Sequence, residues 1–188
     1  MRLMLLRHAG SKKAEPCTRD LDRALNARGR KDAAKIGAYM AHHALLPDRV
    51  IVSPARRARE TREHVTKAFS VFPPVEYDDR LYEGGPDAIL AVIRETDPSI
   101  RSLLIVGHNP GLHETARLLI AAGDVEIRER LNEGLPTAGL ALIDFPVDVG
   151  VSSSRTAPGV RQPALALAQL EWANPAIWQC STWRSRAS

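Results

Sequence analysis

Three short apolar runs, Leu3-Met4-Leu5-Leu6, Val50-Ile51-Val52 and Leu103-Leu104-Ile105-Val106, set the strongest limit on how this chain can fold. None alternates apolar with polar residues, so each reads as a strand covered on both faces. Strands of that kind belong to parallel sheets with helices packed above and below. Each run is followed by residues of a different character: Arg7-His8 after the first, Ser53-Pro54-Ala55-Arg56-Arg57 after the second, Gly107-His108 after the third. In open α/β sheets, ligands bind outside the carboxyl ends of the strands. Imidazole and guanidinium groups delivered to one sheet edge have the composition of an anion pocket with a nucleophile in it.

Helical patterns lie between the runs. Asn26 is a suitable N-cap for a helix to about Leu46, with Ala33, Ile36, Gly37, Met40 and Ala44 on its buried face. Ser53-Pro54 offers a capping hydroxyl and a proline at the first helical position, predicting a helix from there to about Phe69. Pro73-Pro74 ends that segment, and Val75 to Tyr77 fits a short edge strand. Further helices are expected over about Asp87 to Glu95 and from Asn109-Pro110-Gly111 to about Ala122, the latter with Leu112, Ala116, Leu119 and Ile120 as its stripe. Leu140 to Phe145 is the last clear strand. The alternation predicts a three-layer α/β/α sandwich with a mostly parallel central sheet. One such domain is expected over 1–146, followed by a C-terminal segment, 147–188, in which Ala164 to Trp172 fits strand and helix equally.

A chain of 188 residues suits one domain with a single substantial core. Its net charge of +4 is modest and its arginines are scattered, so no nucleic-acid partner is expected. Two cysteines, Cys17 and Cys180, make neither a disulfide framework nor a metal cluster and fit a reducing compartment. The apolar runs are too short for a signal-peptide core or a membrane span, which makes a cytoplasmic protein without a membrane partner the expectation.

A phosphoryl group suits the predicted pocket. Its oxygens match guanidinium groups bidentately, and positioned cations compensate the charge that develops during transfer. A neutral imidazole can attack phosphorus and form a phosphohistidine that water then hydrolyses. The residues on hand are His8 as nucleophile, Arg7, Arg23 and Arg57 as clamps, and His108 as a further donor. If enough arginine and histidine line the pocket, the chemistry needs no metal, and no cofactor is expected.

Several ordered motifs carry a resemblance. Arg7-His8-Ala9 resembles the Arg-His-Gly signature of the histidine phosphatase (phosphoglycerate mutase-like) superfamily, with Ala9 in place of the glycine. Ser53-Pro54-Ala55-Arg56-Arg57-Ala58-Arg59-Glu60-Thr61 resembles its Ser-Pro-x-x-Arg-Ala-x-x-Thr motif, so Arg57 rather than Arg56 is the matching arginine. Val106-Gly107-His108-Asn109-Pro110 resembles the segment with the second histidine. Asp22 to Gly29 and Leu135-Pro136-Thr137-Ala138-Gly139 are most similar to SixA phosphohistidine phosphatases, where Arg23 matches the arginine of an Arg-Pro-Leu-Thr-like motif. The likeness spans roughly residues 1 to 145.

The resemblance implies a phosphoglycerate mutase-like fold, His8, His108, Arg7 and Arg57 as catalytic groups, and Arg7, Arg23, Arg57 and His108 around the phosphate. Many superfamily members protonate the leaving oxygen with a carboxylic acid. Glu83 is the candidate by location, and reads equally well as a solvated loop residue. The implied substrate is a phosphohistidine on a protein, in a phosphorelay or a phosphotransferase component. Small phosphate monoesters remain an alternative, as does a non-catalytic phosphate-binding module. Mutase action fits less well, since so short a chain has little material for a large lid.

Overall fold

The computed structural model describes residues 1–119, 132, 134–145 and 169–173. Its strands are β1 (Arg2–Arg7), β2 (Arg49–Val52), β3 (Val75–Tyr77), β4 (Ser102–Gly107), β5 (Leu140–Asp144) and β6 (Gln169–Ala173). The helices are α1 (Ala27–His42), α2 (Arg56–Thr66), α3 (Arg80–Glu83), α4 (Pro86–Glu95) and α5 (Gly111–Leu119), with a 3₁₀ turn at Asp20–Asp22. The six strands form one sheet in the order β3-β2-β4-β1-β5-β6. β3, β2, β4 and β1 run parallel, while β5 is antiparallel to β1 and β6 to β5.

The unbroken apolar runs are explained by burial on both sides. Met4, Leu6, Val50, Val52, Leu104 and Val106 face one layer, where they pack with Ala33, Ile36 and Met40 of α1 and Ala58 and Val65 of α2. Their neighbours Leu3, Leu5, Ile51, Leu103 and Ile105 face the other, with Ile89 and Val92 of α4 and Leu112 and Ala116 of α5. This is the period of two expected of a strand, with apolar residues required at both phases. The result is the three-layer α/β/α sandwich. Leu6 pairs with Val106 and Val106 with Val52, so β1, β2 and β4 end level with one another. That register delivers His8, Ser53 and His108 to the same edge.

Several boundaries differ from expectation. α1 stops at His42 rather than near Leu46 because Ala44 takes a left-handed backbone, φ 53°, and the Leu45 N–H turns back to the Met40 carbonyl at 2.8 Å. α2 starts at Arg56 with Ala55 as N-cap, and no side chain caps it. Ser53, the expected cap, has its hydroxyl committed to His108 instead. The N-cap at Asn26 is present, its side chain accepting from the Gly29 N–H at 2.7 Å. The end of the α5 stripe at Ile120 and Ala122 lies outside the described residues, as does most of 147–188. Within that C-terminal segment, Gln169–Ala173 adds a strand to the sheet edge.

Candidate active site

β1 runs straight into the site. The His8 N–H donates to the Gly107 carbonyl at 3.0 Å and the Arg7 N–H to the Gly139 carbonyl at 3.0 Å, so the β1 end is clamped between neighbouring segments. The Ala9 N–H donates to Thr61 Oγ1 at 3.0 Å, and that hydroxyl donates in turn to the Arg57 carbonyl at 2.6 Å. Thr61 therefore couples the histidine loop to α2. Ala9 is fully buried and is not among the positive-φ residues, so its methyl is accommodated where the family motif has glycine.

The two imidazoles face each other, with ring centroids 4.9 Å apart and planes tilted by 53°. Each is only 8% exposed. His8 Nδ1 lies 2.8 Å from the Ala9 carbonyl, which can only accept, so Nδ1 carries the proton and Nε2 the free lone pair. Burial pushes the His8 pKa down to about 4; the nearby Arg57, Arg7 and Arg23 cations add to the shift, and the Ala9 carbonyl opposes it. For His108 the value falls to about 3, again chiefly through burial and then through His8 and Arg57, with Asp20 pulling the other way. Both rings are thus neutral near pH 7, the state a nucleophile needs. His108 Nε2 meets Ser53 Oγ at 2.8 Å. The Ser53 oxygen also accepts from the Ala55 N–H at 3.4 Å; with the Ser53 hydroxyl as donor to Nε2, the His108 proton sits on Nδ1. Nδ1 is buried without a hydrogen-bond partner among the described residues.

Three guanidinium groups surround the rings. Arg7 Nη1 donates to the Leu135 carbonyl at 2.8 Å, an oxygen that also accepts from Asn109 Nδ2 at 2.8 Å. Burial lowers the Arg7 pKa. Arg57, 5% exposed, donates through Nη1 to the Asp20 carbonyl at 2.7 Å and pairs through Nη2 with Asp20 Oδ2 at 2.8 Å. Arg23 Nη2 pairs with Asp20 Oδ1 at 2.8 Å. All three are held by their terminal nitrogens, and each has a buried Nε without a partner among the described residues. Arg49 and Arg62 share that condition elsewhere, so the spare donors carry weight only together with the two facing imidazoles. A cluster of donors around a lone pair suits an acceptor-rich anion. Among the described residues, no group of three or more His, Cys, Asp or Glu side chains could hold a metal ion.

The model of the histidine phosphatase superfamily (branch 1) matches residues 3–88. An uncharacterized protein of Mycobacterium tuberculosis is 32% identical over 140 residues, 73% of this chain and 85% of that relative. A crystal structure from Agrobacterium tumefaciens, named "putative phosphohistidine phosphatase SixA", is 34% identical with a TM-score of 0.70, covering 76% of this chain and 90% of its own. A second structure so named, from Nakamurella multipartitia, is 28% identical with a TM-score of 0.65, covering 76% of this chain and 83% of its own. The chain belongs to the histidine phosphatase superfamily. Its sheet and helices are those of the SixA neighbours, and a phosphatase is what family and neighbours support.

For a histidine phosphatase, the structure brings together His8, His108, Arg7, Arg23 and Arg57 as the motifs suggest. Glu83, the carboxyl candidate, ends α3 as an exposed residue, and its neighbour Tyr82 meets His108 edge-on with ring centroids 5.6 Å apart and lies under the Arg57 guanidinium at 5.8 Å. Four contributors went unnoticed in the sequence: Asp20, Ser53 as a partner of His108, Thr61 and Tyr82. Ser53 and Thr61 stand in a quoted motif and could have been found there. Asp20 and Tyr82 sit in polar loop and short-helix sequence that carries no periodic signal.

Proposed function

We propose that this protein hydrolyses phosphohistidine carried on another protein, through a covalent phosphoryl intermediate on His8. His8 Nε2 attacks phosphorus in line while the bond from phosphorus to the leaving imidazole nitrogen breaks, and that nitrogen takes up a proton. Water then attacks phospho-His8, releasing inorganic phosphate and restoring the neutral imidazole. Arg7, Arg23 and Arg57, with His108 Nδ1–H, carry the charge on the phosphoryl oxygens. This donor set supplies the compensation without a metal ion, so a chelator is expected to leave turnover unchanged.

One observation carries the choice of substrate: the carboxyl group in the arginine cluster is ionised. Burial alone would raise the Asp20 pKa, but the Tyr82 hydroxyl, Arg57 and Arg23 outweigh it and hold the carboxyl below its ordinary value. The Tyr82 phenol is pushed up, by burial first and then by Asp20, and its proton is already given to Asp20 Oδ2 at 2.9 Å. Neither Asp20 nor Tyr82 is therefore set to give an alkoxide leaving group its proton, and Glu83 beside them is an exposed residue. Imidazole, with an ordinary pKa of about 6.5, leaves once protonated and can draw that proton from water. The likeness to structures named for phosphohistidine phosphatase supports the same reading.

The test is kcat/KM measured side by side on a phosphohistidine-bearing phosphocarrier protein and on a panel of small phosphate monoesters. The protein substrate is expected to be preferred by at least about a hundredfold, the scale of a missing general acid. A monoester that matches or exceeds it would overturn the protein-substrate reading and leave the His8 chemistry standing.

A further inference from the structure

The guanidinium cradle already holds an anion, and it belongs to the chain. Asp20 lies on the 3₁₀ turn between β1 and α1, and its carboxylate spans Arg23 and Arg57 at 2.8 Å each while accepting from the Tyr82 hydroxyl at 2.9 Å. We propose that Asp20 is a built-in counter-ion of the phosphoryl cradle, competing with phosphate for Arg23 and Arg57 and so keeping the hydrolysis product loosely held. The proposal rests on reading this cradle as a phosphoryl site.

Two features separate a competitor from a mere brace. First, the brace is provided by other atoms. Arg57 Nη1 is held by the Asp20 main-chain carbonyl at 2.7 Å, and Arg23 Nη1 reaches the Lys12 carbonyl at 3.3 Å. Both guanidinium groups therefore stay in place when the carboxylate charge is removed. Second, the carboxylate can leave. Its side chain is 47% exposed, and the 3₁₀ turn that carries it has no buried residue, so displacement disturbs no core packing. An incoming phosphoryl group can take over the charge-assisted contacts while Asp20 moves into water.

The charge balance gives this a purpose. Three guanidinium groups beside two neutral imidazoles present three positive charges, and Asp20 reduces them to two. Phosphate at neutral pH carries between one and two negative charges. Without the carboxylate the cradle would over-bind it, and a phosphatase that holds its product turns over slowly. Asp20 thus lowers affinity for substrate and product alike.

Calorimetric titration of inorganic phosphate at low, fixed ionic strength into the wild type, Asp20→Asn, Asp20→Ala and Arg57→Ala tests this. Asp20→Asn keeps the shape and removes the charge; Asp20→Ala adds no new donor. Both are expected to bind phosphate about tenfold more tightly or better, as loss of a like charge beside the ligand predicts, and Arg57→Ala more weakly. A damaged fold does not raise affinity, so a gain supports the competitor role directly. Equal or weaker binding by both Asp20 variants, with Arg57→Ala weakened, overturns the proposal and leaves the cradle intact. Binding that Arg57→Ala does not reduce, or none in any form, overturns the cradle as a phosphoryl site and the proposal with it.

Discussion

At the scale of single residues, the site depends on keeping two imidazoles uncharged among three arginines. Burial and like charge act in the same direction on His8 and His108, bringing them to about 4 and about 3. NMR titration of the ligand-free protein should therefore show the His8 ring half-protonated near pH 4, and saturating phosphate should move that midpoint upward, because an anion favours the imidazolium. A midpoint near 6.5 would contradict the described burial. Ser53 is the second point of control. Its hydroxyl meets His108 Nε2 at 2.8 Å, so Ser53→Ala leaves a buried nitrogen unpaired at a cost of about 1–3 kcal/mol. If that cost falls on the transition state, kcat/KM drops about tenfold or more with the fold intact, as read by steady-state kinetics alongside circular dichroism.

At the scale of elements, close approach of backbones does the positioning. α1 begins against the loop that follows His8, and a Cβ on Gly29 would collide with the Gly10 carbonyl. Gly29→Ala is expected to destabilise by about 1–3 kcal/mol, measured by urea denaturation, and to lower activity by shifting that loop; an unchanged midpoint would show the contact to be dispensable. These elements also show what the sequence could reveal. β1, β2 and β4 were legible because double-sided burial forces an unbroken apolar run. The N-cap at Asn26 was legible because a capping side chain precedes an amphipathic stretch. The start of α2 was not, because Ser53 could serve as a cap or as a partner for His108, and only tertiary contact decides between them. His8, Arg57 and His108 were legible as motif positions at strand ends. Asp20 and Tyr82 were not, because they act through side chains meeting 62 residues apart.

At the scale of the whole molecule, function and stability share the same edge of the sheet. The buried imidazoles bind protons less readily folded than unfolded, so the unfolded state gains protons as pH falls below about 6.5. Stability is then present in full above that value and lost progressively down to about 4 for His8 and about 3 for His108, on the order of a few kcal/mol in total. Chemical denaturation at a series of pH values should show this acid slope, and His8→Ala should make it shallower; an equal slope in both would locate the linkage elsewhere. The apolar layers are the counterweight. Leu104, fully buried in the sheet interior, is expected to cost about 2–5 kcal/mol when replaced by Ala, without altering the His8 titration.

The central claim is that turnover passes through phospho-His8. It is tested most directly by mixing enzyme with ³²P-labelled phosphohistidine protein, quenching in alkali within the first turnover, and locating the label by peptide mapping. Label on the peptide containing His8, stable in alkali, released by acid and absent from His8→Ala, is the expected result. Release of inorganic phosphate by His8→Ala at the wild-type rate, with no labelled enzyme at any time, would contradict it.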